Sequence, residues 1–104
     1  MENDFYTLLE NIKKRPPLYL GWYSIFAFES FYSGYLKAKE ISSLSLTDQE
    51  KEFQEFLIWI QEDYSSVKVN RSWSVLMFLF SSDERKALDK LFELFEQYLE
   101  QKNN

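Results

Sequence analysis

The chain contains no histidine and no cysteine, and only two glycines and two prolines among its 104 residues. Without histidine it has no imidazole base, proton shuttle or imidazole zinc ligand, and neither a Ser-His-Asp nor a Cys-His nucleophile can be assembled. Without cysteine there is no disulfide, no thiolate nucleophile and no thiolate-bound zinc, which fits a reducing compartment. Two isolated glycines cannot build a phosphate-cradling loop, and so few turn formers disfavour architectures made of many tight turns. Long hydrophobic runs are missing as well. The stretches around Ile25 to Phe28 and Val75 to Phe80 fall far short of the ~20 apolar residues a membrane span needs. The first residues, MENDFYTLLENIKK, are polar and acidic where a secretory signal begins basic and turns apolar. The expectation is a cytoplasmic chain folding as a single domain over 1–104. Basic charge is in deficit, with 12 Lys and Arg against 17 Asp and Glu and a net charge of −5. That balance argues against direct binding to a nucleic-acid backbone and fits a basic macromolecular partner better.

What the chain does have is aromatic bulk: ten Phe, seven Tyr and three Trp within a sequence that is 45% hydrophobic. This much large apolar surface closes a core even in a short chain. Its spacing is helical. Phe5, Leu8, Leu9 and Ile12 recur on one face behind an Asn3 or Asp4 cap, with Lys13, Lys14 and Arg15 at the end the helix dipole favours. Pro16 and Pro17 stop that helix. A second helix runs from Ser24 to about Ile41 on Ile25, Phe28, Phe31, Tyr32, Tyr35 and Leu36, with Gly34 inside it as a possible point of close approach to another helix. Thr47 and Glu50 form a capping box for a third, whose face is Phe53, Phe56, Leu57, Ile60 and Tyr64, widened by Ile58 and Trp59. The polar stretch from Ser65 carries Val67 and Val69 in alternation, too short to assign as a strand. The run from Trp73 to Phe80 reads as a buried strand or a short buried helix, and the lack of a strand partner elsewhere favours helix. Ser81 and Glu84 resemble another capping box before a last helix reaching about Gln101. The fold class expected is all-α, a compact bundle of four to five helices.

Carboxylates are the remaining source of chemistry. None of the 17 acids falls in a calcium-loop spacing, so no metal or other cofactor is expected. A catalytic acid pair would have to be picked out from many surface carboxylates, and no enzymatic activity is expected. The most distinctive local sequence is KKRPPLYLGW, Lys13 to Trp22. It resembles the RPGMYIG segment near the start of gyrase-type ATPase domains, but the glycine-rich nucleotide boxes of those domains have no counterpart here. The simpler reading is a turn, with two prolines ending a helix, Gly21 in an unusual backbone conformation, and Leu18, Tyr19 and Leu20 anchoring it.

A second resemblance covers about Leu9 to Leu99. Its motifs are RPxxYLG at Arg15, Pro16, Tyr19, Leu20 and Gly21; FxxGYxxA at Phe31, Gly34, Tyr35 and Ala38; and FxxFxxWIxxxY at Phe53, Phe56, Trp59, Ile60 and Tyr64. An isolated Trp73 then precedes a hydrophobic run, followed by an acidic helix similar to DEExALDxFFxLxxEF. Together these resemble a family of small bacterial immunity proteins found beside polymorphic toxin genes, of the contact-dependent growth inhibition type. Pro17 stands where that pattern has Gly, and Leu18 where it has Met. The resemblance implies a toxin inhibitor acting through protein–protein interaction and without chemistry of its own. Many toxins of this kind are nucleases with cationic substrate-binding faces, which an acidic partner complements.

Two acidic surfaces are candidates for toxin binding. On the last helix Asp89, Glu93, Glu96 and Glu100 fall at i, i+4, i+7 and i+11, a continuous stripe. Around the third helix lie Asp48, Glu50, Glu52, Glu55, Glu62 and Asp63, with Lys51 the one cation. Each also has the plain reading of a solvated helix face that aids solubility. Binding energy concentrates in a few aromatic anchors, and Trp22, Tyr23, Tyr64 and Trp73 sit in turns or near helix ends, whereas Trp59 reads as core. The competing functional classes are a non-enzymatic adaptor or regulatory subunit for another cytosolic protein, and a carboxylate-dependent enzyme recognisable by buried acids lining a pocket.

Overall fold

A computed structural model describes residues 4–64 and 71–103. Six α-helices follow one another among the described residues: α1 Phe5–Lys14, α2 Pro16–Leu20, α3 Ile25–Ile41, α4 Asp48–Trp59, α5 Trp73–Ser81 and α6 Glu84–Lys102. A π-helical turn, Ile60–Tyr64, extends α4, and no strand occurs among the described residues. The all-α bundle expected from the sequence is what is observed, with α2 as a short addition to the five longer helices. The alternating Val67 and Val69 lie outside the described residues.

Local chemistry explains most boundaries. Asp4 caps α1 by accepting from the backbone N–H of Tyr6 at 3.1 Å and Thr7 at 3.3 Å. The prolines end α1 and also begin α2: Pro16 takes the first helical position, where its missing N–H costs no hydrogen bond. Gly21 closes α2 at φ +91°, a conformation that residues with a Cβ rarely adopt. Ser24 caps α3 from a fully buried position. The predicted box at α4 is complete, with Thr47 Oγ1 accepting from Glu50 N–H at 3.2 Å and Glu50 Oε1 accepting from Thr47 N–H at 2.7 Å.

Three expectations are corrected. The cap of α6 is Asp83, accepting from Arg85 N–H at 2.8 Å and Lys86 N–H at 3.0 Å. Ser81 is still the last residue of α5, and the left-handed Ser82 (φ 61°) points the chain so that Asp83 reaches the free N–H groups. Gly34 is exposed, with nothing within 4 Å of the position a Cβ would occupy, so no helix approaches it. Leu18 and Tyr19 do not anchor the α2 turn inward: both are exposed, and only Leu20 packs against the core. The ambiguous run is helix α5, capped by Ser72 and burying Trp73, Ser74, Leu76 and Met77.

The core is built on aromatic edges. Phe53 meets Phe5, Phe28, Tyr32 and Phe95 edge-on at centroid distances of 5.6, 6.1, 5.4 and 5.0 Å. Such pairs add about 0.5–1.5 kcal/mol each beyond area burial. Through Phe53 α1, α3, α4 and α6 share one centre, and α5 joins it where Trp73 packs edge-on against Phe28 at 6.1 Å and Tyr32 at 6.3 Å. Tyr32 is buried, and its hydroxyl has no hydrogen-bond partner among the described residues. Among those residues, three other tyrosines donate their hydroxyls to carboxylates and bridge elements: Tyr6 to Glu52, Tyr23 to Asp89 and Tyr35 to Glu50.

Candidate functional site

The α6 stripe survives folding as an exposed face. Its buried side is Ala87, Leu88, Leu91, Phe92, Leu94 and Phe95, which turns Asp89, Glu93, Glu96 and Glu100 to the outside, where all four are exposed. Two contacts lay the Lys13–Trp22 segment along that stripe. Lys13 Nζ reaches Glu96 Oε2 at 3.0 Å, and Tyr23 donates its hydroxyl to Asp89. Asp89 and Glu96 are seven residues apart on α6, so the two fastenings are separated by about 10 Å along the helix. Between them the chain carries Leu18, 66% exposed, Tyr19, and Trp22, 62% exposed. The segment carrying these exposed apolar side chains is thus tied to the stripe at its two ends.

The Trp22 backbone is braced on both sides. Gly21 fixes the turn before it. After it, Tyr23 is held by Asp89 on its hydroxyl and by the Arg85 guanidinium 4.5 Å above its ring. Ser24 caps α3 and donates to Glu84. The Asp89 carboxylate, then burial, raises the Tyr23 hydroxyl above its ordinary pKa, and the bond to Glu96 raises the Lys13 ammonium. A large aromatic ring on a fixed backbone loses little freedom on binding, which is the property of an interface anchor. Trp22 also lines an open groove with Phe78, Asp83, Glu84 and Arg85, of mixed charge.

The third-helix acids do not form a second face of this kind. Glu50 is only 2% exposed and is spent on structure: it accepts from Lys39 Nζ at 2.6 Å, from the Tyr35 hydroxyl and from Thr47 N–H. Burial pushes its pKa up, but these donors outweigh burial and hold it below the ordinary carboxylate value. Glu52 and Glu55 share Lys102, at 3.1 and 3.4 Å, so a cation from α6 sits among them. Glu62 is exposed at the π-helical turn, while the side chains of Asp63 and Tyr64 lie outside those described. Trp73 is withdrawn from the candidate set, because its ring is packed between Phe28 and Tyr32 and has no free face for a partner. Among the described residues, no three carboxylates gather to hold a metal ion, and no helix is long and apolar enough to cross a membrane.

Sequence reasoning missed the exposure of Leu18 and Tyr19 and the alignment of their segment with the stripe. The available signal was the brevity of PPLYL, bounded by prolines and a glycine: one and a half turns cannot bury three large residues on one face.

Comparison with protein-family models, with curated proteins and with solved structures finds no match to this chain. The fold thus defines a class, a small all-α helical bundle.

Proposed function

We propose that this chain is an immunity protein, one that binds a cognate bacterial toxin domain and neutralises it by covering a basic surface. The observation that carries this reading is the Tyr23–Asp89 bond, which joins the exposed Trp22 to the acidic stripe of α6. It joins the two ingredients of a fast and tight interface: carboxylates that steer a cationic partner, and exposed apolar side chains that hold it once docked. The toxin such a face suits is a nuclease, whose phosphate-binding groove is cationic, and inhibition is by occlusion in the cytoplasm without chemistry by the inhibitor.

The stripe also carries an internal cost that solubility alone does not require. Asp89/Glu93 and Glu96/Glu100 are like-charged pairs four residues apart, each opposing the helix by about 0.2–0.5 kcal/mol. Lys90 offsets part of this at Glu93 from 3.6 Å, and Lys13 part of it at Glu96 from 3.0 Å.

The test is co-expression with the toxin domain encoded by the neighbouring gene. Rescue of growth and a co-purifying complex are expected, and Glu93→Lys combined with Glu96→Lys should abolish both while the circular-dichroism spectrum stays helical. Absence of both rescue and complex with the unaltered chain rejects the reading.

A further inference from the structure

Between α1 and α6 lies a slot of about 100 Å³. Its walls are apolar, including Leu9, Phe92 and Leu99, and its rim carries Glu10, Glu96 and Lys13. Glu96 belongs to the acidic stripe, so the slot opens directly beside it.

The chain's own Lys13 lies at that rim, with its ammonium on Glu96 at 3.0 Å. Glu10 adds a second favourable charge, contributing to the raised pKa of the Lys13 ammonium. An apolar wall with two carboxylates at its rim suits a side chain with an aliphatic stem and a cationic head. Lys13 holds the place weakly, since its side chain is 40% exposed and that of Glu96 57%, and ion pairs so open to water are readily exchanged.

We infer that the slot receives a lysine side chain of the basic partner, which displaces Lys13 from Glu96 and lays its methylene stem on Leu9, Phe92 and Leu99. Lys13 is then an internal competitor. Although it sits within the binding face, removing it strengthens binding, the opposite of what truncating an ordinary interface residue does. The inference rests on the proposed acidic-face reading and names the group that face accepts.

The probes are three blocked tripeptides, Ac-Gly-X-Gly-NH₂, with X lysine, acetyl-lysine or 2,3-diaminopropionic acid. The first has stem and charge, the second stem without charge, the third charge without stem. They are titrated into the full chain while methyl resonances of Leu9 and Leu99 are followed by NMR, with the fully buried Leu88 as reference. The lysine peptide should shift Leu9 and Leu99 saturably, and each of the other two should bind at least about threefold more weakly, the loss of ~0.6 kcal/mol or more of contact or charge. Lys13→Met should tighten the lysine peptide about threefold to fivefold, equivalent to ~0.6–1 kcal/mol released from an exposed ion pair. Glu96→Gln should weaken it.

Silent Leu9 and Leu99 methyls overturn the inference, as do equal responses to all three peptides or weaker binding by Lys13→Met. Shifts confined to the Trp22 indole also overturn it, since they place the cation elsewhere. These outcomes are separate from the fate of the immunity reading. A toxin complex indifferent to Lys13→Met refutes the slot and leaves neutralisation standing, while peptide binding without toxin rescue does the reverse.

Discussion

Replacing Glu50 by Gln removes a charge from a buried ion pair with almost no change of shape. The amide keeps the volume and can still accept from Thr47 N–H, so the α4 capping box persists in form. The negative charge is lost, and Lys39 suffers most: its side chain is only 14% exposed and its ammonium lies 2.6 Å from Glu50. A charge-assisted hydrogen bond is worth about 1.5–3 kcal/mol, and stranding one partner of a buried pair costs about 3–5 kcal/mol. Because Lys39 keeps some access to water, the cost falls below that of a fully buried pair, at about 2–3 kcal/mol. For a domain of this size each kcal/mol moves the melting temperature by about 4–8 °C, so a loss of at least ~8 °C is expected in a thermal melt at pH 7. Pairing Glu50→Gln with Lys39→Met, which removes the stranded charge, should recover more than half of the loss. The gap also depends on pH with a definite sign. The Glu50 carboxyl is held below its ordinary value of 4.5, so its contribution is present above that pH and lost as pH falls through the folded value. The two proteins should therefore converge in acid. A loss under ~1 kcal/mol at pH 7, or a gap unchanged down to pH 3, refutes the assignment of Glu50 to the framework and returns it to the surface charges.

Other changes probe separate parts of the fold and face. Tyr32→Phe removes a buried hydroxyl that lacks a partner among the described residues and should raise stability by about 1 kcal/mol, the desolvation it no longer incurs; a loss measured in urea would mean the hydroxyl is satisfied. Gly34→Ala fills open space in α3 and should stabilise by about 0.5–1 kcal/mol, whereas Gly21→Ala, at φ +91°, should destabilise by ~1 kcal/mol or more. Equal signs for the two glycines in denaturant melts would refute the backbone argument. Glu100→Gln relieves a like-charge pair in the last turn of α6, so stability should rise by a few tenths of a kcal/mol while the association rate with a basic partner falls, and salt should erase that rate difference.

The helices were legible because their signals are local. Thr47 with Glu50 announced α4, and Ser24 followed by Ile25 and Phe28 announced α3. The α6 stripe was legible for the same reason, since it is a matter of spacing along one helix. What the sequence hid depends on neighbours in space. Nothing near Trp73 distinguishes it from Trp22 as an exposed anchor; one is buried because Phe28 and Tyr32 arrive from α3. Glu50 looks like Glu55 until Lys39 and Tyr35 close over it. Ser81 offered the same capping pattern as Thr47, but the preceding helix extended to claim it.

The three tyrosine–carboxylate bridges bear on how the protein responds to its medium. Tyr6, Tyr23 and Tyr35 hold Glu52, Asp89 and Glu50 by hydroxyl protons. Tyr6 and Tyr23 are both raised above their ordinary value of 10.0, Tyr6 by burial and then Glu52, Tyr23 by Asp89 and then burial. Because the folded values are raised, the stabilisation is whole below pH 10 and drains away as pH climbs through them. With neither histidine nor cysteine present, no side-chain type that ordinarily titrates between the carboxylates and the phenols is available to change charge in the interval. The Tyr6 and Tyr23 bridges thus keep their protons across the neutral range, and the contacts they make between α1 and α4 and between the start of α3 and α6 persist unchanged through it.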